Sequence, residues 1–228
     1  MMSPIYCTTI CIRNGHPELL SLHLRRLTET AQHHLAIGFD YSVCERMVYD
    51  IAKNHPNSGL RISFHEDGLQ YDILPIGNAP IKSTFTYMPD YNLDTFAKRR
   101  CLDISHVTIY YDKTGILEGN WFSVFFLDTN ENLCTPPLGR ILAGTMRAAI
   151  LYTAKKLDIN IQIKSQPPNC NFNYYASTSM RVLQPIHCSN IATLQLYELK
   201  DAVRESIRNE ESSIYSYWVR ECESIIQP

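Results

Sequence analysis

The sequence predicts a two-domain protein of mixed α+β and α/β character, with a small N-terminal α+β domain over residues 1–90 and a C-terminal mixed-sheet domain over residues 91–228. Three observations carry this. Residues 6–88 run strand, helix, helix, then three strands, and such segregation places helices on one face of a largely antiparallel sheet. Residues 88–101, MPDYNLDTFAKRRC, are polar and irregular and suit a connection. Beyond them, strand-like and helical stretches are interleaved.

In chain order, residues 6–13 are rich in threonine, isoleucine and cysteine and stop at Asn14-Gly15, a tight-turn pair. From Pro17 the period changes. Leu20, Leu24, Leu27, Ala31 and Leu35 recur at three and four, with Glu18, Arg25, Glu29 and Gln32 falling elsewhere, which predicts an amphipathic helix ending near Gly38. A second helix from about Tyr41 carries Val43, Met47, Val48 and Ile51 on its apolar side, and HPNSG at 55–59 breaks it. Strands are expected at 60–65, 69–76 and 81–88, separated by EDG and GNAP.

In the second half, 106–112 and 121–128 read as strands around DKTG and LEGN. Residues 145–157 form a helix with Met146, Ala149, Ile150, Thr153 and Leu157 inward, and 159–164 another strand. Residues 165–179 are loop-rich, and 180–186 return to apolar spacing. Helical spacing runs through Leu196, Leu199, Val203 and Ile207, and a last amphipathic piece surrounds Trp218.

Composition narrows the function. With 45% hydrophobic and 19% charged residues over 228 positions, the chain can bury a real core, as a globular enzyme or binding domain does. A net charge of -2 offers no broad basic face for nucleic acid. No cationic start precedes a long apolar run, and no stretch reaches the roughly 18 apolar residues of a spanning helix, so no membrane is expected and the cytoplasm is the expected compartment. The eight cysteines are scattered without a CxxC pair, which argues for reduced, buried thiols and no metal site; Cys7 and Cys11 fall on one strand face.

The stretch 116–157, ILEGNWFSVFFLDTNENLCTPPLGRILAGTMRAAILYTAKKL, holds most of the chemistry. A strand ends in an acid, a turn and second strand follow, and a loop containing glycine feeds a helix. One carboxylate and one helix N-terminus thus lie close in sequence, as two ends of a site for a phosphorylated ligand.

Several stretches in order resemble the fold-type IV enzymes that use pyridoxal phosphate, the class IV aminotransferase family, and within it aminodeoxychorismate lyase most. TTICIRNGHPELLSLHLRRL at 8–27 is similar to the family's opening strand, turn and helix, and LRISFHEDG to its next strand. ILEGNWFSVFF is similar to TEGxxxNxFF, TPPLGRILAGTMR to TPPLxxGxLxGxxR, and TSMRVLQPI to the lyase branch's NSLRGIxPV. The resemblance implies a two-domain fold like that of D-amino-acid aminotransferase, a homodimer and a small-molecule substrate, either an amino acid or aminodeoxychorismate. It assigns Glu118 to the cofactor's ring nitrogen, which must stay protonated for the ring to accept electrons. It gives the phosphate to Arg26, to Gly144, Thr145 and Met146 at the helix start, and to Thr178 and Ser179. Arg147 is expected to pair locally on its helix and His23 to pack.

The family's cofactor-binding lysine, which also shuttles a proton at the substrate's α carbon, has Lys98 in DTFAKRR as its best match. A second register puts Asp94 there, and Lys82 in PIKSTF is a further candidate. The family's asparagine is Ser123 here, Trp121 and Phe122 replace small polar residues, and Met146 stands where the phosphate-binding helix has a hydroxyl. The expected activity is a pyridoxal-phosphate lyase giving 4-aminobenzoate and pyruvate, in folate synthesis. The alternatives are a class IV transaminase and a homologue without cofactor that serves as a binding or structural subunit.

Overall fold

The structure is a computed structural model that describes residues 6–35, 38–65, 68–77, 83–89, 107–187 and 194–226. The described residues fall into two compact units, one up to residue 77 and one from residue 83.

The first unit is an antiparallel sheet with two helices on one face. Strand β1 (Cys7–Arg13) turns through Asn14 and Gly15, at φ 50° and 75°, into the two-residue strand β2 (His16–Pro17). Both turn residues are left-handed, the conformation that Asn-Gly tolerates best. Helix α1 (Leu20–Thr30) follows and runs on as a wider π-helical turn over Ala31–Leu35. Helix α2 (Tyr41–Asn54) is capped by Asp40, whose side chain accepts the Val43 N–H. Strand β3 (Asn57–His65) pairs with β1, Ile10 facing Leu60, and with β4 (Gly68–Leu74), in the order β2-β1-β3-β4. Ile10, Ile12, Leu60, Ile62 and Phe64 meet Leu20, Leu24, Leu27, Cys44, Val48 and Ala52 in one buried cluster. The apolar stripe read at three and four is the part of α1 that joins this cluster, while Leu22, His23 and Arg26 off the stripe are buried as well.

Strand β3 begins three residues earlier than expected, because Asn57, Ser58 and Gly59 already pair with Arg13, Ile12 and Cys11. A larger correction concerns the third expected strand. Its described part, β5 (Ser83–Tyr87), is absent from the first sheet and pairs in parallel with β6 (Val107–Asp112) of the second unit, where Phe85 packs against the core.

The second unit stacks two sheets. Strand β6 pairs antiparallel with β7 (Gly115–Gly119), which completes a three-stranded sheet in the order β5-β6-β7. Strands β8 (Ser123–Leu127), β9 (Leu133–Thr135), β10 (Ile161–Ile163), β11 (Asn173–Thr178) and β12 (Arg181–His187) form the other, ordered β10-β9-β8-β11-β12. Val107, Ile109 and Ile116 of the first sheet meet Val124, Phe126, Tyr174 and Ala176 of the second in one core. Helix α3 (Thr145–Lys156) packs against β11, α4 (Leu194–Asn209) against α3 and β12, and α5 (Glu211–Ile226) against α3 and α4.

Strand β11 runs through the stretch expected to be loop. Tyr174 and Tyr175 are both fully buried, so the strand shows no alternation, and the SQPPNCN run before it gives only turn signals. Among the described cysteines, Cys7, Cys11, Cys44, Cys134 and Cys222 are buried thiols and Cys170 is exposed. No helix among the described residues is long and apolar enough to cross a membrane.

Candidate functional site

The second unit gathers a buried carboxylate, a helix start and an unpaired hydroxyl at one end of its β8–β11 ladder. Glu118 is buried next to the last residue of β7, and its Oε2 accepts the Leu142 N–H at 3.2 Å. Gly119 then turns the chain into β8, its N–H donating to Phe122 O at 2.9 Å while the Phe122 ring covers its Cα. A Cβ at 119 would lie 2.2 Å from that ring, so a side chain there would have to push the buried Phe122 ring aside. Two residues beyond Leu142, Gly144 is the N-cap of α3, and its N–H donates to Leu142 O at 2.8 Å. Leu142 therefore joins Glu118 and the helix start through its two backbone groups.

The start of α3 is open to an anion by the chain's own chemistry. Gly144 has no side chain to cap the helix, and the first turn holds no acidic residue, while Thr145 and Met146 are buried. A helix start with no side-chain cap from its N-cap residue, together with the helix dipole, favours negative charge there. Gly144 sits against Ser123, where a Cβ would lie 2.4 Å from Ser123 Oγ. Ser123 faces Ser177 across the β8–β11 ladder, so both side chains project from the same sheet face. Ser177 is 3% exposed and its Oγ has no hydrogen-bond partner among the described residues. Such an orphan costs free energy unless a ligand satisfies it.

The structure thus brings Glu118, Gly144, Thr145 and Met146 together. Thr178 ends β11 one residue past Ser177, where the register with β12 shifts, and its Oγ1 accepts the Arg181 N–H at 3.2 Å. Ser179 follows in the β11–β12 turn, half-buried. The sequence does not single out Ser177, because its stretch carries loop signals and its pairing with Ser123 is set by the register of two strands far apart in the chain. Lys98, Asp94 and Lys82 lie outside the described residues.

Arg147 corrects the expected local pairing. Its guanidinium is buried and bridges to Glu221 of α5 at 3.0 Å, while Nη2 donates to Pro136 O at 3.2 Å. Burial lowers the Arg147 pKa and the Glu221 carboxylate opposes that shift. Tyr217, which donates to Glu221 at 3.0 Å, has its phenol pushed up to about 12, by burial first and by that carboxylate second.

In the first unit, Arg26 is buried on α1 and its Nη2 donates to Thr8 Oγ1 at 2.6 Å. His23 is also buried, with Nδ1 2.6 Å from the same hydroxyl. Neighbouring Arg25 instead faces solvent and pairs with Glu29.

The model of the amino-transferase class IV family matches residues 78–170, a span that includes Glu118 and Gly144 to Met146. No match was found among curated protein sequences. Solved structures agree in fold at low identity. A hypothetical aminotransferase from Mycobacterium tuberculosis in its PLP-bound form has a TM-score of 0.73 at 18% identity, covering 90% of this chain and 89% of that one. The 4-amino-4-deoxychorismate lyase of Pseudomonas aeruginosa gives 0.68 at 18%, covering 90% and 91%. The branched-chain amino acid aminotransferase of Escherichia coli gives 0.70 at 15%, covering 90% and 86%. With that family's match across its centre and that fold along its length, the chain has the fold-type IV architecture of the class IV aminotransferases.

Proposed function

We propose that the chain is a pyridoxal-phosphate-dependent lyase of the aminodeoxychorismate type, releasing pyruvate and leaving 4-aminobenzoate. The observation that carries cofactor binding is the join between Glu118 and the start of α3 through Leu142, with the buried Ser177 hydroxyl, which has no hydrogen-bond partner among the described residues, across the ladder from the Ser123 that Gly144 abuts. These groups fit the cofactor at both ends. The first turn of α3 and Ser177 suit a phosphate dianion, and Glu118 suits a protonated ring nitrogen. When bound, the cofactor supplies an electron sink for bond breaking at the substrate's α carbon. Glu118 holds the ring proton in place, Gly144 keeps the helix start clear of a side chain, and Thr145 and Met146 present their backbone to the phosphate.

The resemblance adds three assignments: Lys98 as the residue that moves the proton at the α carbon, Arg26 as a phosphate ligand, and Thr178 with Ser179 as further phosphate contacts. Lyase rather than transaminase chemistry is favoured by TSMRVLQPI at 178–186, which resembles the lyase branch. The same reading makes the protein a cytoplasmic homodimer in folate synthesis, and light scattering checks the dimer.

Titration of purified protein with pyridoxal phosphate, followed by incubation with aminodeoxychorismate, tests the proposal. The expected outcome is an absorption band at the visible edge and release of pyruvate. Glu118→Gln is expected to slow that release by about 10²–10³-fold, the scale for losing one preorganised electrostatic partner. Colourless protein that takes up no cofactor supports the reading as a binding subunit. Amino transfer to a 2-oxo acid without pyruvate release supports a transaminase.

A further inference from the structure

Helix α5 lies along the segment that leads into α3. Residues 136–144 cross from β9 to α3 without joining either sheet, yet they supply the Leu142 N–H to Glu118 and the helix start itself. Side chains of α5 hold this segment at several points. The buried Trp218 donates Nε1–H to Ala143 O at 3.1 Å, one residue before the N-cap. Glu221, three residues on, fixes the Arg147 guanidinium, whose other arm returns to Pro136 O and so closes the segment on itself. Ile225, a further turn along, lies beside Gly139. Spacings of three and four put these residues on one helix stripe.

We infer that α5 sets the geometry of the anion-binding helix start, with Trp218 as a positioning residue for Ala143 and Gly144 and Glu221 as one for Arg147. The reason is geometric. A segment outside the sheets has no ladder hydrogen bonds to fix it, and a first-turn N–H must be within a few tenths of an ångström to hold a phosphate oxygen. The Ala143 carbonyl and the Arg147 guanidinium flank the N-cap on its two sides, so holding both fixes the direction in which the first-turn N–H groups point. The inference rests on the reading that α3 receives the cofactor phosphate.

Trp218→Phe keeps most of the ring's packing and removes the donor. Two measurements separate positioning from bulk stability. In the cofactor-free protein, hydrogen exchange of peptides covering 137–146 is expected to speed up about tenfold, with the first unit's exchange and the melting temperature nearly unchanged. Affinity for pyridoxal phosphate is expected to fall about tenfold, the loss of one hydrogen bond's worth, and the ³¹P resonance of the bound phosphate to shift. Trp218→His, which can restore an N–H donor, is expected to recover part of the affinity. Unchanged exchange in 137–146, or equal cofactor affinity of wild type and Trp218→Phe, overturns the inference while leaving the cofactor reading intact. Wild-type protein that binds no pyridoxal phosphate overturns the cofactor reading and the inference with it.

Discussion

The first unit covers one face of a single sheet with two helices, whereas the second buries a central sheet between another sheet and a helical layer. In the first, edge strand β4 leaves Leu69, Tyr71 and Ile73 exposed on a regular hairpin. In the second, β8 and β11 are buried on both faces, and the candidate site sits where their ladder ends. Two-sided burial leaves little room for adjustment. The second unit can therefore hold a carboxylate, a hydroxyl and a helix start in fixed relation.

The largest contrast is expected in core truncation. Phe126→Ala removes a ring stacked on Phe172 between the two sheets and is expected to cost about 3–5 kcal/mol in denaturant unfolding. Tyr71→Ala on the open hairpin is expected to stay within about 0.5 kcal/mol. Equal losses would break the distinction between the units. The next contrast uses two glycines of nearly identical φ, Gly115 at 123° and Gly68 at 124°. A Cβ at 115 would lie 2.6 Å from the Gln166 carbonyl, while one at 68 meets nothing within 4 Å. Gly115→Ala is therefore expected to lose about 2–4 kcal/mol and Gly68→Ala about 1 kcal/mol, the second by backbone strain alone.

Legibility followed the same divide. Leu20, Leu24 and Leu27 announced the side of α1 that packs on the sheet, and Asn14-Gly15 announced the β1–β2 turn, because a helix face set against one cluster writes a period into the sequence. Tyr174 and Tyr175 wrote none, since both sides of β11 are covered, and the strand passed for loop. Within the site, Glu118 and the glycine before α3 were visible because both lie in one contiguous stretch. Ser177 and Trp218 were not, since their importance comes from contacts across the ladder and across 75 residues of chain. Arg147 shows the same blindness: its partner Glu221 is 74 residues away, and only the folded helices bring the charges together.

A smaller effect tests the polar centre of the first unit. Thr8→Val deletes the hydroxyl that Arg26 donates to and that His23 touches, and is expected to cost about 1–3 kcal/mol. The finest effect is one of pH. Burial would raise the Asp128 pKa, but hydrogen bonds from Lys164, Asn132 and Asn130 outweigh it and hold the carboxyl at about 2. Because the folded-state pKa lies below the unfolded value of about 3.9, the unfolded chain binds the proton first as pH falls. The stability that this carboxylate contributes is thus full above about pH 4 and lost on the way down to about pH 2. The wild type and Asp128→Asn are expected to differ in melting temperature at neutral pH and to converge over that window, as read by thermal unfolding across pH.

The central claim is that the second unit holds pyridoxal phosphate between Glu118 and the start of α3. Loading the protein with the cofactor, reducing with borohydride and mapping the labelled peptides by mass spectrometry tests it most directly. The account predicts a phosphopyridoxyl group fixed to Lys98, at a yield that falls in Glu118→Gln and in Trp218→Phe. Protein recovered with no lysine labelled would contradict it.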